Sequence, residues 1–365
     1  MAIKSNFFFD PTLGRPKLRP CLPDKIDILV IGGGIAGLTS LYFLLMDKRD
    51  AILLETTDIG FRASGRSLGC IGFPKLNNLR NVKLDFINEC LKRNHDILLH
   101  IIKKENIICD LTESGEVHLS KNEFIGFDHA LKLKNLQIHH LFGQIKTNLH
   151  GLFFPVSSSI NTFILMNALC QICESYGQRL YGNVSVTNIE KKSDHLLVYT
   201  SLGDMVKCKK IIICTPTILA KIHPDYVNFM RVEKINAACT RIMPEKYLSD
   251  FMSILHFVDI GYRVRFYWNR LFMDWDGISD SSEAIDIISN YIPLFKSYPL
   301  DYEWKDNIFC SSDDLPILGR IQDNIYVNTL YGRHGLSFAF QCSAEICKRL
   351  TNKEDVNLFS LERFK

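Results

Sequence analysis

Apolar positions along the chain fall into two kinds of run, and their alternation is the first indication of a fold. Residues 26–31 are a β-type run, apolar except for Asp27 near its start, the pattern of a strand buried on both faces. Residues 38–46 follow with helical character, and residues 51–55 form a second short strand. Strand, helix and strand at this spacing predict a βαβ unit with a right-handed crossover. The stretch 26–46 is about as long as a membrane span. Its four glycines break it into strand, loop and helix, so a soluble unit is the better reading.

Further along, the periods change. Residues 1–23 carry Pro11, Pro16, Pro20 and Pro23 and read as an extended lead-in. Residues 60–76 are Gly-rich and loop-like. From 82 to 104, Leu84, Ile87, Leu91, Ile97, Leu98 and Ile101 recur at helical spacing, and 160–176 looks like another helix. Residues 183–190, 195–200 and 209–214 read as strands with a turn at Gly203-Asp204, and strand-like runs recur at 232–242 and 255–272. Residues 324–330 are a strand. Residues 336–350 close the chain as a helix with Leu336, Phe340, Ala344 and Cys347 on one stripe. The segment 105–150 is mixed. Its His129, His139, His140 and His150 show no HExxH-type spacing, so they read as surface or core histidines and no metal site is expected.

Composition narrows the class. With 365 residues the chain is long enough for about two domains. A 47% hydrophobic content with a net charge of +3 excludes a disordered chain. The balance of 43 basic and 40 acidic residues gives no strong nucleic-acid footprint. Of 12 cysteines only Cys170 and Cys173 form a C-x-x-C, inside the apolar-periodic run 163–173, so a core-facing helix is expected there. A chain this long is no disulfide scaffold, and reduced thiols in a cytoplasmic protein fit better. The N-terminus, despite Phe7-Phe8-Phe9, lacks the apolar segment and small-residue cleavage site of a secretory signal.

The strongest motif is Gly32-Gly33-Gly34-Ile35-Ala36-Gly37, in which Gly32, Gly34 and Gly37 fill G-x-G-x-x-G. Gly32 permits the tight turn, Gly34 lets a pyrophosphate approach the backbone, and Gly37 lets helix and strand pack closely. The helix start offers free N–H groups and a positive dipole end to phosphates. Glu55 ends the second strand 18 residues after Gly37, where a carboxylate accepts from ribose hydroxyls and repels a 2′-phosphate. Together these predict dinucleotide binding and disfavour NADP. The following segment, with Arg62, Ala63, Ser64, Gly65, Arg66, Ser67 and Gly69, is rich in small residues and suits a second face of a pyrophosphate leading to a bulky ring system.

At these residues the chain resembles the D-amino-acid oxidase superfamily of FAD enzymes, closest in pattern to its γ-glutamylputrescine oxidase and glycine oxidase-like amine branch. Ile59-Gly60 with Ala63-Ser64-Gly65-Arg66 and Gly69 resembles that branch's IG…ASGR-N-x-G segment, with Ser67 in place of the usual Asn. Ser185 to Glu190 resembles the strand whose Val, here Val186, contacts adenine. Residues 211–216, including Thr215, resemble a strand near the cofactor. Asp313 to Arg320 matches D-x-L-P-x-x-G-R. Asp323 to Tyr326, then Tyr331-Gly332-Arg333-His334-Gly335-Leu336, matches the block before the last helix. These blocks cover roughly half the chain in the family's order.

The resemblance implies FAD as cofactor and oxidation of a C–N bond by hydride transfer to flavin N5, the imine then hydrolysing. At the start of the terminal helix, Arg333 or His334 with the amides of Gly335 and Leu336 would stabilise charge on the reduced flavin. Several members bind a substrate carboxylate through an Arg just upstream of the D-x-L-P block, where this chain has Ile308. The anchor then lies elsewhere, or the substrate is an amine without that carboxylate. Residues 262–270 resemble the family's Y-x-R…N-R-L-L-F-G-G strand, with Met273-Asp274-Trp275 replacing the glycines, and Tyr262 and Arg265 are the candidate substrate contacts. Some members attach FAD through a Cys upstream of D-x-L-P; Cys310 is in the area but off register.

The expected partners are thus a small amine or amino acid and an electron acceptor, oxygen or a quinone chain. Two other readings stand beside this one. Phe73-Pro74-Lys75-Leu76, Arg333 before Gly335-Leu336, and the ending 358–364 look like the FAD domain of the tRNA wobble-uridine modifying enzyme, although +3 shows no large basic face. The third is a flavin-binding protein with a degenerate substrate pocket. The expected architecture is α/β: a Rossmann-type FAD-binding domain from 24–80, 150–230 and 301–365, interleaved with an α+β substrate domain from 81–149 and 231–300 that carries a mostly antiparallel sheet.

Overall fold

The chain was studied as a computed structural model that describes residues 4–5, 21–74, 84–124, 131–133, 149–244, 254–277, 279–350 and 359–364. Lys75, Leu76, His129, His139, His140, Pro11, Pro16 and Pro20 lie outside these residues.

The first apolar run is the strand Lys25–Ile31, and its alternating side chains feed two cores at once. Ile28 and Val30 pack with Leu38, Leu41 and Leu44 of the helix Ile35–Met46, while Leu29 and Ile31 pack with Ile52, Leu54, Ile211 and Ile213 on the opposite face. That double burial is why residues 28–31 are all apolar, while Asp27, at the less buried start of the strand, pairs with Lys209. The strand lies between Ala51–Leu54 and Met205–Ile213, both parallel to it. The eight-stranded sheet continues through Leu196–Thr200 to Val186–Lys191 on one side and through Ala51–Leu54 to Leu180–Tyr181 on the other. Ile325–Thr329 also runs parallel to Met205–Ile213, and Ile317–Gln322 pairs antiparallel to Ile325–Thr329. The helix Ile35–Met46 is covered by Thr162–Glu174 and by the terminal helix Gly335–Arg349. Cys170 and Cys173 are both buried in that core, on the inner side of Thr162–Glu174.

A second, nine-stranded sheet runs in the order Lys4–Ser5, Leu300–Ser311, Met230–Thr240, Arg270–Asp276, Tyr262–Tyr267, Ile254–Phe257, Glu116–Ser120, His150–Phe154 and Leu131–Leu133. All its pairings are antiparallel except the two made by Lys4–Ser5 and by Ile254–Phe257 against Glu116–Ser120. One face is covered by the helix Ser281–Ser289, whose Ala284 and Ile288 join Leu255, Phe257, Val264, Met273 and Trp275 in a separate core. Asp280 caps this helix by accepting from the Glu283 amide at 3.0 Å.

Hydrogen bonding cuts across sequence order. Leu300–Ser311 and His150–Phe154 run in the nine-stranded sheet, and the helix Leu84–Lys104 packs on the terminal helix of the first layer. The strands Leu300–Ser311, Ile317–Gln322 and Glu116–Ser120 and the helix Ser281–Ser289 lacked a period in the sequence strong enough to be read. The run 255–272 divides into three strands, Ile254–Phe257, Tyr262–Tyr267 and Arg270–Asp276. Turns at Gly261 (φ +71°) and at Trp268 and Asn269 (φ +47° and +54°) separate them. Among the described residues, no helix is long and apolar enough to cross a membrane.

Leu41, fully buried between strand and terminal helix, has no room to be replaced by solvent. Leu41→Ala is expected to cost about 2–5 kcal/mol, read as a lowered midpoint in denaturant unfolding of the FAD-loaded chain.

Candidate functional site

A cavity of about 530 Å³ opens where the parallel strands end at their carboxyl edge and the second sheet faces them. This is the place at which open α/β sheets bind ligands. Its floor is the Gly-rich turn. Gly32 has φ +110°, and a Cβ on Gly37 would fall 1.8 Å from the Gly32 carbonyl oxygen, so only glycine lets the helix start this close to the strand. Gly32, Gly34, Ile35 and Ala36 line the cavity, and Gly37 acts from behind it.

Two side chains hold the turn. Glu55 Oε2 accepts from the Gly33 amide at 2.6 Å, and Oε1 accepts from the amide and hydroxyl of Thr57 at 2.9 and 3.0 Å. Ser64 Oγ accepts from the Ile35 amide at 3.0 Å, while the Gly60 amide donates to the Gly33 carbonyl. The loop after Glu55 is thereby laid against the helix N-terminus, and Ala63, Ser64, Arg66 and Ser67 reach the cavity. Gly65 and Gly69 do not line it. A Cβ on either would strike a carbonyl, at 2.0 Å from Gly60 and 1.9 Å from Ile160, so both serve the path of the loop. Arg66 stacks over Phe61 at 4.4 Å and lies 3.6 Å from Asp306. Val186 and Thr215 complete this end.

The opposite end is built by the second sheet and the terminal helix. Gly332, Arg333, Gly335 and Leu336 line it, and His334 is buried off the cavity wall. Arg333, its side chain 4% exposed, donates to Asp274 at 2.7 Å and to Asp276. Arg263 donates to the same Asp274 through Nε at 3.1 Å and Nη2 at 2.5 Å. Burial alone would raise the Asp274 carboxyl, but the guanidinium groups of Arg263 and Arg333 bonded to it hold it below the usual carboxylate range. Arg333 is therefore an ion-paired strut from the terminal helix to the second sheet.

The strand Tyr262–Tyr267 places its residues differently from the sequence expectation. Tyr262 points away from the cavity into the second core, stacked on Trp275 with ring centres 6.2 Å apart, and its burial pushes the phenol up to about 12. Arg265 shares a face with Arg263 but donates to the carbonyls of Leu68 and Ile160, joining the loop to Thr162–Glu174. It positions the cavity wall. Arg263 and Asp274 are the polar residues of this region that line the cavity. Period 2 on the strand left 263 and 265 equivalent in the sequence, and Asp274 marked itself only by replacing a glycine. Ile308 also lines the cavity. Cys310 lies buried beneath Gly332, off the wall, with its thiol pushed up to about 12 by burial.

Residues 27–349 match the model of the DAO family, FAD dependent oxidoreductases. The chain belongs to that family, and FAD is its cofactor. It is 22% identical over 351 residues to gamma-glutamylputrescine oxidoreductase of Escherichia coli, covering 85% of this chain and 80% of that protein. Its fold is similar to glycine oxidase from Geobacillus kaustophilus (TM-score 0.78, 16% identity, 93% of this chain and 99% of that one). It is likewise similar to L-proline dehydrogenase from P. horikoshii (TM-score 0.76, 16% identity, 94% and 98%). The residues present fit the cofactor. The glycine turn leaves backbone open to a pyrophosphate, a carboxylate (Glu55) lines the cavity beside that turn, and the cavity runs on to the start of the terminal helix.

Two outcomes test this geometry. Glu55→Ala removes a charged acceptor, an interaction of about 1.5–3 kcal/mol, so FAD should bind roughly ten- to hundredfold more weakly in a fluorescence titration. Asp274→Asn leaves two buried guanidinium groups short of a partner and should cost about 3–5 kcal/mol. Because the folded carboxyl is depressed, its contribution is full above the unfolded value of about 3.9 and fades as pH falls through the lower folded value. The wild-type advantage over Asp274→Asn, measured by unfolding, should hold at neutral pH and shrink only in strong acid.

Proposed function

We propose that this chain oxidises a C–N bond of a small amine, and that the amine carries no α-carboxylate to be gripped. The observation that carries this reading is the composition of the cavity wall around Arg263. Two arginines on the wall, Arg263 and Arg333, are paired to the buried wall residue Asp274, and Arg333 also to the half-buried Asp276 behind it. The network is balanced within itself and leaves no surplus positive charge for a substrate carboxylate. Ile308 stands on the wall where the family resemblance places an arginine.

FAD, when bound, supplies the two-electron acceptor for hydride removal from the carbon bearing nitrogen. The chain supplies position and surroundings. The amides that open the terminal helix at Gly335 and Leu336, with the helix dipole, favour negative charge at that end of the cavity. Leu68, Trp304, Ile308 and Leu336 make an apolar wall that keeps water from the reacting carbon and favours the neutral, oxidisable form of the amine. The curated relative named for γ-glutamylputrescine supports an amine class, and glycine oxidase among the similar structures supports C–N oxidation more broadly.

The test is anaerobic mixing of the FAD-loaded chain with two sets of compounds, alkylamines and diamines in one and α-amino acids in the other. Bleaching of flavin absorbance by members of the first set alone is expected. Bleaching by α-amino acids alone would overturn the substrate class. No bleaching by either set would favour a flavin-binding protein without this catalysis.

A further inference from the structure

The strand Glu116–Ser120 presents Glu116 and His118 on one face, two residues apart. The neighbouring parallel strand Ile254–Phe257 sets His256 in register with His118. Glu116 Oε1 lies 3.1 Å from His118 Nε2 and 4.0 Å from His256 Nδ1, and one ligand atom from each residue lies within 4.8 Å of the others. We propose that Glu116, His118 and His256 bind a single zinc-class divalent cation inside the second sheet.

The chemistry of the set suits such an ion. Two imidazoles and a carboxylate are ligands of zinc and the other first-row divalent metals. Bonds of about 2.0–2.2 Å in tetrahedral arrangement put ligand atoms roughly 3.3 Å apart, so the observed separations need only small side-chain adjustments. Three protein ligands leave one position for water. The carboxylate is already oriented. Glu116 Oε2 accepts from the Phe73 amide at 3.0 Å and from Ser157 Oγ at 3.4 Å, which leaves Oε1 turned to the histidines.

An independent observation points the same way. His118 is fully buried, yet neither ring nitrogen has a hydrogen-bond partner among the described residues; its approach to Glu116 lacks hydrogen-bond geometry. A buried polar ring left unsatisfied is costly, and ligation to a cation removes that cost. None of the three residues lines the large cavity. The cation is therefore structural. It braces Glu116 beneath Gly72-Phe73, where a Cβ on Gly72 would fall 2.0 Å from Glu116 Oε2. Gly72 is in turn hydrogen-bonded in both directions to Ser337 of the terminal helix, at 3.0 and 2.9 Å. The inference stands apart from the substrate reading above.

The full chain, expressed in zinc-supplemented medium and purified with FAD bound and without chelator, is analysed for metal. It is then stripped and titrated with Co²⁺. One zinc per chain is expected as purified, and one Co²⁺ per chain after stripping, with the intense visible absorption of a tetrahedral site. His118→Gln and His256→Gln, checked for FAD content, should each fall to near zero equivalents. Zinc and Co²⁺ both well below one equivalent in the wild type would overturn the proposal, as would full stoichiometry in both FAD-containing variants. If neither variant loads FAD, the wild-type Co²⁺ spectrum decides: histidine-ligated tetrahedral bands support the site, and octahedral bands alone overturn it.

Discussion

The contact between Gly37 and the Gly32 carbonyl sets the geometry of the cofactor end. Because a methyl group cannot fit there, the helix Ile35–Met46 begins almost on top of the strand it follows. Its N-terminal amides are thereby aimed at the carboxyl edge of the sheet. Glu55 reaches back to the Gly33 amide and Ser64 reaches the Ile35 amide, so the neighbouring strand and loop are tied to the same turn. The terminal helix then packs along the helix so placed, with Thr39, Ser40, Asn328 and Ser343 joined in a buried hydrogen-bond cluster between them. Satisfying those groups inside a dry core restricts the two helices to one mutual position.

A second set of buried polar groups fixes the far end of the cavity. Asp274 receives both Arg263 and Arg333 and so joins a strand of the second sheet to the entrance of the terminal helix. Charges this deep are tolerated because each is paired and hydrogen-bonded. The consequence for function is electrostatic: arginines that taken singly would offer a positive pocket instead form a balanced wall. The two ends of the cavity are thus held by different physics, close backbone packing in one and a compensated ion network in the other.

The cofactor end was legible in the sequence because its requirements are local. A glycine at three fixed positions, the apolar run 28–31 and an acid at the end of the next strand all lie within residues 26–55. The substrate end was only partly legible. Tyr262 and Arg265 were candidates by resemblance to a family strand, but pleat and neighbours decide where they point: Tyr262 faces Trp275, Arg265 is consumed by two carbonyls, and Arg263 reaches the cavity. Arg333 was found by position, yet its partners Asp274 and Asp276 lie some sixty residues earlier and meet it only in three dimensions. Glu116, His118 and His256 escaped notice for the same reason, since the strand register that unites them spans more than a hundred residues of chain.

By itself, then, the sequence determined the βαβ cofactor turn, the helices at 84–104 and 335–349, and the family to which the chain belongs. These depend on periodicity and on residues adjacent in the chain, where backbone sterics act directly. Tertiary structure alone decided the composition of the second sheet, the neutral wall around Asp274 and the cluster at Glu116. Each depends on which strands pair and in what register, and a shift of one residue would turn every such side chain to the opposite face.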